Sequence, residues 1–337
     1  MVQTAGLIVT GPPDLGGGGP ARSALKLRPM SSAQLGLAPP PFPCTLPDDD
    51  ARLLEVRALL EDRYAGVILT GPPGTSKTWY AGHIAAKLVD CDPERARFIQ
   101  FHASYQYEDF VEGYVPQEEG GFALVDKHLL EMCEIAREVP GQLCVLVIDE
   151  LSRCDPGRVF GEALTYIEMS RRDQDFALAS GRFVSIPDNL FFIATMNPLD
   201  RGVDDVDVAL ERRFAKIALD PDETLLTDIL TANGVDAALQ KRILTFFREL
   251  QKGENLLAKV GHAYFRGVKD QASLERLWTH QLRFYLEKAF RLDPDRFNTL
   301  RNSWESIVVR PTQQAPVTSD GPTPPATDDA GTDPVST

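Results

Sequence analysis

Val67-Ile68-Leu69-Thr70-Gly71-Pro72-Pro73-Gly74-Thr75-Ser76-Lys77-Thr78 is the stretch on which the fold of this chain turns. An apolar run stops at a Gly/Pro-rich turn, and the turn ends in Lys-Thr. That order predicts a strand, a loop and the start of a helix. Backbone N–H groups in such a loop, with the helix N-terminus behind them, offer donors and partial positive charge to an anion. In the phosphate loop G-x-x-x-x-G-K-[ST], the lysine reaches the β- and γ-phosphates and the hydroxyl residue ligates Mg²⁺. Those roles fall here on Lys77 and Thr78, with Gly71, Pro72, Pro73, Gly74, Thr75, Ser76 and Trp79 completing the nucleotide-binding set. The pattern departs at Ser76, where Gly is expected. A helical φ does not need Gly, so Ser76 is expected in backbone that is already helical. The bland alternative is a chance turn before a helix. Leu7-Ile8-Val9-Thr10-Gly11-Pro12-Pro13 copies the approach to the loop, but no Lys-Thr follows. That copy is expected to be disordered and unable to hold phosphate in the same way.

Composition narrows the class. At 337 residues the chain is long enough for one large domain or two smaller ones. Its 43% hydrophobic and 25% charged residues are ordinary for a soluble globular protein. No apolar run approaches the ~18–20 residues of a membrane span. The N-terminus shows no basic segment followed by an apolar one, which argues against a secretory signal. A cytoplasmic protein with no membrane partner is expected. Five cysteines, Cys44, Cys91, Cys133, Cys144 and Cys154, lack C-x-x-C spacing and are expected as reduced thiols. The histidines show no metal-ligand spacing, so a zinc site is not supported. A net charge of −14 argues against a broad nonspecific nucleic-acid surface. It leaves room for nucleic acid in the channel of a ring.

Residues 1–50 are Gly/Pro-rich and 309–337 form a Pro/Thr/Asp-rich acidic tail. Neither segment can bury enough apolar surface to order itself, so both are expected to be disordered. Strand and helix patterns alternate over 51–220: strands at 66–70, 97–101, 143–148, 190–196 and 214–219, and helices at 76–89, 126–137 and 156–170. A hairpin is expected at 176–186 around Ser180-Gly181. Such alternation implies an α/β domain, a parallel sheet between two helical layers. Over 221–308 only helical patterns remain, at 225–232, 235–251, 272–290 and 293–304, which predicts a smaller all-helical lid. No internal repeat is visible.

Three further signals fall at strand ends. Val145-Leu146-Val147-Ile148-Asp149-Glu150 drives an apolar strand to two acids. Ligands of open α/β sheets bind at that edge, so Asp149 is placed to hold Mg²⁺ and Glu150 to polarise an attacking water. A helix N-cap with a solvated acid is the alternative. Ala194-Thr195-Met196-Asn197-Pro198-Leu199-Asp200-Arg201 also ends a strand in polar residues, with Asn197 a candidate contact to the γ-phosphate or the water. Asn-Pro is also a common turn pair. Arg212 and Arg213, before the last strand, read either as a solvated helix end or as an arginine finger reaching a neighbouring subunit.

In this order the four signals resemble AAA+ ATPases: phosphate loop, Asp-Glu strand end, sensor Asn, arginine pair, helical lid. The resemblance narrows at Phe101-His102-Ala103-Ser104-Tyr105-Gln106-Tyr107-Glu108-Asp109-Phe110-Val111-Glu112-Gly113-Tyr114, which is similar to the F-H-x-S-Y-x-Y-E-D-F-x-E-G-Y signature of the McrB family. Ile148-Asp149-Glu150-Leu151-Ser152-Arg153 and the following Val159-Phe160-Gly161-Glu162 are similar to its I-D-E-[IL]-[NS]-R…[IV]-F-G-E. Gly261-His262-Ala263-Tyr264-Phe265 resembles its G-H-[SA]-Y-F, and 278–290 its W-x-x-Q-[IL] helix. The likeness covers about 53–304. Phe101, Tyr105, Phe110 and Tyr114 are expected mostly as core. Glu108, Asp109 and Glu112 are expected to shape the site or a subunit contact.

The resemblance implies a P-loop NTPase with catalytic Glu150, Asn197, Asp200, Arg212 and Arg213, and with Mg²⁺ on Thr78 and Asp149. It implies a homo-oligomeric ring, a hexamer, working with an McrC-like nuclease subunit, and reaching DNA only through the ring or that partner. The family's N-T-A-D-R segment, linked to GTP use, is broken here by Pro198 and Leu199. ATP is therefore the expected nucleotide, with GTP the alternative. A MoxR-like or dynein-related ATPase remodelling protein partners is the competing function.

Overall fold

Strand β5 (Cys144–Asp149) sets the layers, because all six of its residues are buried. Val145 and Val147 join one apolar cluster, and Leu146 and Ile148 join another on the opposite face. A strand apolar on both faces needs cover on both sides. The computed structural model describes residues 42–118, 120–197, 210, 212–253 and 258–309. Five parallel strands form the sheet: β1 (Gly66–Thr70), β2 (Ala96–Gln100), β5, β8 (Leu190–Met196) and β9 (Phe214–Ala218). Their order is β2-β5-β8-β1-β9, the doubly wound α/β arrangement expected from the alternation. Helices α1 (Ala51–Glu61) and α2 (Lys77–Leu88) cover the face of Val145. Helices α3 (Tyr107–Phe110), α4 (His128–Glu138) and α5 (Pro156–Phe160) cover the face of Leu146.

Several local expectations need correction. The helix expected over 156–170 breaks into α5, α6 (Ala163–Tyr166) and a 3-10 turn (Met169–Arg171). The first break comes at Gly161, whose φ of 52° no right-handed helix accommodates. The hairpin around Ser180-Gly181 is present as β6 (Phe176–Ala177) and β7 (Phe183–Val184). A second hairpin, β3 (Glu112–Pro116) with β4 (Phe122–Asp126), lies partly within the aromatic-acidic segment. Phe101, Tyr105 and Phe110 are core, but Tyr114 is 69% exposed. It stands on this two-stranded ribbon, which has little to bury it against.

The segment 42–50, taken from composition as part of a tail, packs on the core. Leu46 is buried, and the Phe42 ring lies 5.1 Å from Phe98 and 5.9 Å from His83. That packing brings Cys44 to Cys91, and the two form a disulfide with a Cα–Cα distance of 5.6 Å. The expectation of five reduced thiols is thus wrong for this pair, whose separation of 47 residues carries no spacing signal. Cys133, Cys144 and Cys154 are free and buried. Burial pushes the Cys133 and Cys154 thiols up to about 12, so they stay protonated and inert. The copy of the loop approach at 7–13 and the acidic tail from 310 lie outside the described residues.

Beyond the sheet the chain is helical, as expected: α7 (Glu223–Ala232), α8 (Ala237–Gln251), a 3-10 segment (His262–Gly267), α9 (Gln271–Leu277), α10 (Arg283–Ala289) and α11 (Pro294–Trp304). A π turn (Trp278–Leu282) joins α9 to α10. This lid has its own core, in which Trp278 and Trp304 stack at 4.6 Å and Phe246 packs edge-on to both. Among the described residues no helix is long and apolar enough to cross a membrane.

Candidate nucleotide site

The loop between β1 and α2 has little room for side chains. A Cβ on Gly71 would lie 2.2 Å from the Leu219 carbonyl oxygen, and one on Gly74 would lie 2.5 Å from the Tyr264 ring. Thr75 Oγ1 donates to the Pro72 carbonyl at 2.9 Å. Lys77 Nζ donates to the carbonyls of Gly71 at 2.8 Å and Pro72 at 2.9 Å. Its ammonium therefore folds back across the loop. Ser76 departs from expectation. Its φ of 65° and ψ of 24° are left-handed rather than helical. This conformation favours Gly and costs a side-chain-bearing residue about 1–2 kcal/mol. The loop keeps the turn its missing glycine would have made, and Ser76 carries the strain.

The two acids sit one strand away. Asp149 ends β5 and is 4% exposed. Its Oδ1 accepts from Thr78 Oγ1 at 2.8 Å and from Thr195 Oγ1 at 2.6 Å, and its Oδ2 from Gln100 Nε2 at 3.4 Å. Glu150 follows in left-handed backbone, φ 58° and ψ 46°. Its N–H donates to Thr195 Oγ1 at 3.0 Å, and its carboxylate receives Arg153 Nε at 3.3 Å. Glu150 makes no side-chain cap to the 3-10 turn that follows, and Asp149 is engaged by Thr78 and Thr195. The N-cap alternative thus loses its basis. Thr78 and Asp149 present a hydroxyl and a carboxylate at one edge, the oxygen donor set a hard cation takes. Among the described residues no cluster of three His, Cys, Asp or Glu could hold a metal alone. Mg²⁺ fits such a site, because it binds through one or two protein oxygens plus substrate phosphates.

The remaining candidates are distributed unevenly. Met196 pairs with Thr70, so Asn197, the next residue, comes level with the start of the loop. Asp200 lies outside the described residues. Arg212 is exposed, whereas Arg213 is buried with its Nε 3.5 Å from Glu168 Oε2. Trp79 is 36% exposed and stacks on His83 at 4.0 Å. Asp109 and Glu112, expected to shape the site or a subunit contact, both have local structural partners. Asp109 closes a capping box with Gln106. Glu112 is buried, accepts from the Ser180 N–H at 3.4 Å and pairs with Arg182 at 3.3 Å, tying the two hairpins together.

The lid covers the loop from the other side. Gly261 N–H donates to the Pro73 carbonyl at 3.1 Å, and Ala263 N–H to the Gly74 carbonyl at 2.9 Å. Between them, His262 places Nε2 3.0 Å from Ser76 Oγ. His262 is 2% exposed, and burial holds its pKa below the ordinary histidine value.

Residues 66–214, which contain this loop and both acids, match the family model of the AAA domain (dynein-related subfamily). This span is an AAA domain of the dynein-related subfamily. The chain is 33% identical to the Type IV methyl-directed restriction enzyme EcoKMcrB subunit of Escherichia coli (strain K12), over 64% of this chain and 50% of that protein. It is 24% identical to the Type II restriction enzyme BsuMI component YdiS of Bacillus subtilis (strain 168), over 44% of this chain and 55% of that protein. The chain spans about half the length of these curated relatives. The McrB-like resemblance read from the motifs is borne out.

Sequence reasoning missed two residues of this AAA domain. Thr195 joins Asp149 to the Glu150 backbone. Its signal was present: Thr195 is a hydroxyl inside an apolar strand, two residues before the candidate Asn197. Gln100 ends β2 beside Asp149. Only the sheet order reveals that proximity.

Proposed function

We propose that this AAA protein binds and hydrolyses a nucleoside triphosphate as the ring-forming motor subunit of an McrBC-like restriction system. One observation carries the reading: Thr78 Oγ1 lies 2.8 Å from Asp149 Oδ1, which ties the loop end that carries Lys77 and Thr78 to the strand end that carries Asp149 and Glu150. Loop N–H groups and Lys77 would cradle the phosphates. Thr78 and Asp149 would hold Mg²⁺, which neutralises charge on the β- and γ-phosphate oxygens. Glu150 would orient the attacking water and take its proton, with Asn197 and Asp200 as further candidate catalytic residues. Trp79 would offer a ring face to the nucleoside. Arg212, exposed on its own chain, would stabilise phosphate charge in a neighbour's site, which makes a ring the working unit. Arg213, paired with Glu168, serves its own domain first.

ATP is the assigned nucleotide and GTP the alternative. The relatives' names describe a subunit and a component of restriction enzymes, which supports an McrC-like nuclease partner here. DNA would be engaged through that partner or the ring. A MoxR-like remodelling ATPase acting on protein partners rests on the dynein-related assignment alone. Steady-state hydrolysis of ATP and GTP, with and without a co-encoded nuclease-bearing protein, tests the proposal. Mg²⁺-dependent turnover, faster with ATP and raised by the partner, is expected. Absence of turnover with either nucleotide under both conditions overturns it.

A further inference from the structure

We propose that His262 is a positioning residue for the phosphate loop: it latches the lid to Ser76 and holds Ser76 in the left-handed conformation the loop requires. The effect on nucleotide binding rests on the function proposed above, whereas the latch itself does not. Ser76 occupies a φ of 65°, where a side chain is strained and some contact must compensate. Its hydroxyl meets His262 Nε2 at 3.0 Å. The tautomer follows from the other ring nitrogen. Nδ1 receives the Asp222 N–H at 3.3 Å, so Nδ1 carries no proton. In the neutral ring Nε2 then carries it and donates to Ser76 Oγ. Burial favours that neutral form.

The histidine is itself held firmly. Flanking backbone bonds from Gly261 to Pro73 and from Ala263 to Gly74 clasp the loop on both sides of it. A Cβ on Gly261 would come within 2.0 Å of the Gly74 backbone, so the two chains touch with no side chain between them. Asp222 caps α7 through Thr224 N–H and Leu225 N–H and pairs with Arg52 of α1 at 3.5 Å. The latch therefore runs from the loop through the lid to the first helix.

The consequence concerns the substitution at position 76. A glycine there needs no help to adopt positive φ. A serine does, and the help comes from the lid. When the lid moves away, Ser76 loses its partner and relaxes toward right-handed backbone, turning its N–H out of the phosphate cradle. Lid closure and nucleotide binding then favour each other by the same factor. The departure from the loop pattern thus makes binding conditional on lid position.

The test compares wild type, Ser76→Gly, His262→Ala, His262→Gln and the Ser76→Gly/His262→Ala double variant. Two quantities are read: affinity for Mg-ATP, and hydrogen exchange of residues 74–79 in nucleotide-free protein. His262→Ala is expected to weaken Mg-ATP binding about five- to tenfold, raising KM more than it lowers kcat. His262→Gln, whose amide reaches the place of Nε2, is expected to restore most of the affinity. In the Ser76→Gly background, His262→Ala is expected to change affinity less than about twofold, because nothing remains to hold. Loop exchange should rise in His262→Ala and return toward wild type in His262→Gln. Equal losses with Ser or Gly at position 76, or no rescue by Gln, overturn the latch. If His262→Ala does not fold, His262→Asn, polar but one bond too short, replaces it with the same expectations. If wild type binds no nucleotide, the functional reading fails, and the exchange measurement alone decides the latch. Unchanged loop exchange in both the Ala and Asn variants would then refute it.

Discussion

The phosphate loop is held from two sides that differ in kind. On the core side, Thr78, Asp149, Thr195 and Glu150 are polar groups at ends of buried elements, joined by hydrogen bonds of 2.6–3.0 Å. On the lid side, Gly261, His262 and Ala263 mainly touch loop backbone and a hydroxyl. On the proposed function, the core side would supply chemistry and the lid side shape. Changes on the core side should therefore act on turnover, and changes on the lid side on affinity.

The largest effect expected is on turnover and separates the two arginines. Arg212→Ala should lower multiple-turnover hydrolysis by about 10³-fold while nucleotide binding persists. Arg213→Ala, which removes the partner of Glu168, should appear first as lost thermal stability. Loss of turnover in Arg213→Ala with its melting curve unchanged would move the trans role to Arg213. Next in size is the covalent tie between the 42–50 segment and the chain just past the C-terminal end of α2. Reducing the Cys44–Cys91 disulfide opens a crosslink spanning 47 residues. On a chain-entropy model this costs the core about 4 kcal/mol. Denaturant unfolding with and without reductant measures it, and a Cys44→Ser variant insensitive to reductant is the control.

Thr195→Val sharpens the core side. It removes one donor from Asp149 and the acceptor of the Glu150 N–H. A buried unsatisfied group costs about 1–3 kcal/mol, read as a lower Tm. Turnover should fall further than affinity. The smallest effect belongs to acid pH. Burial holds His262 and His128 below their ordinary value, so the unfolded chain binds protons that the folded chain refuses. Their contribution is complete above the unfolded pKa, about 6.5, and is lost as pH falls through it toward the lower folded values. At His262, Asp222 opposes this shift and Arg52 adds to it. Tm should therefore fall as pH drops below about 6.5, and His262→Gln should shallow the slope.

The same two sides explain what was legible in the sequence. Strands β1, β5 and β8 are apolar runs that give way to polar residues, so their ends could be read directly as candidate site positions. Helix α1 escaped notice because its apolar residues are not all on one face: Leu53 is buried while Leu54 is 48% exposed. The β3–β4 hairpin was hidden in a segment whose aromatic residues looked like filling, and Tyr114 shows that not all of them are. The disulfide depends on how 42–50 folds back, and spacing does not encode that. Backbone dihedrals are not written in residue types either. Ser76 was legible as an exception to a pattern, but its left-handed φ and its partner 186 residues away were not.

The most direct test of the central claim measures Mg-ATP binding and hydrolysis on the same samples of wild type and Glu150→Gln. The amide keeps the shape of the side chain and removes its capacity to take a proton. Binding should be retained, and turnover should fall by about 10²- to 10⁴-fold. Turnover within twofold of wild type, with binding intact, would contradict the assignment of this strand end as a hydrolytic site.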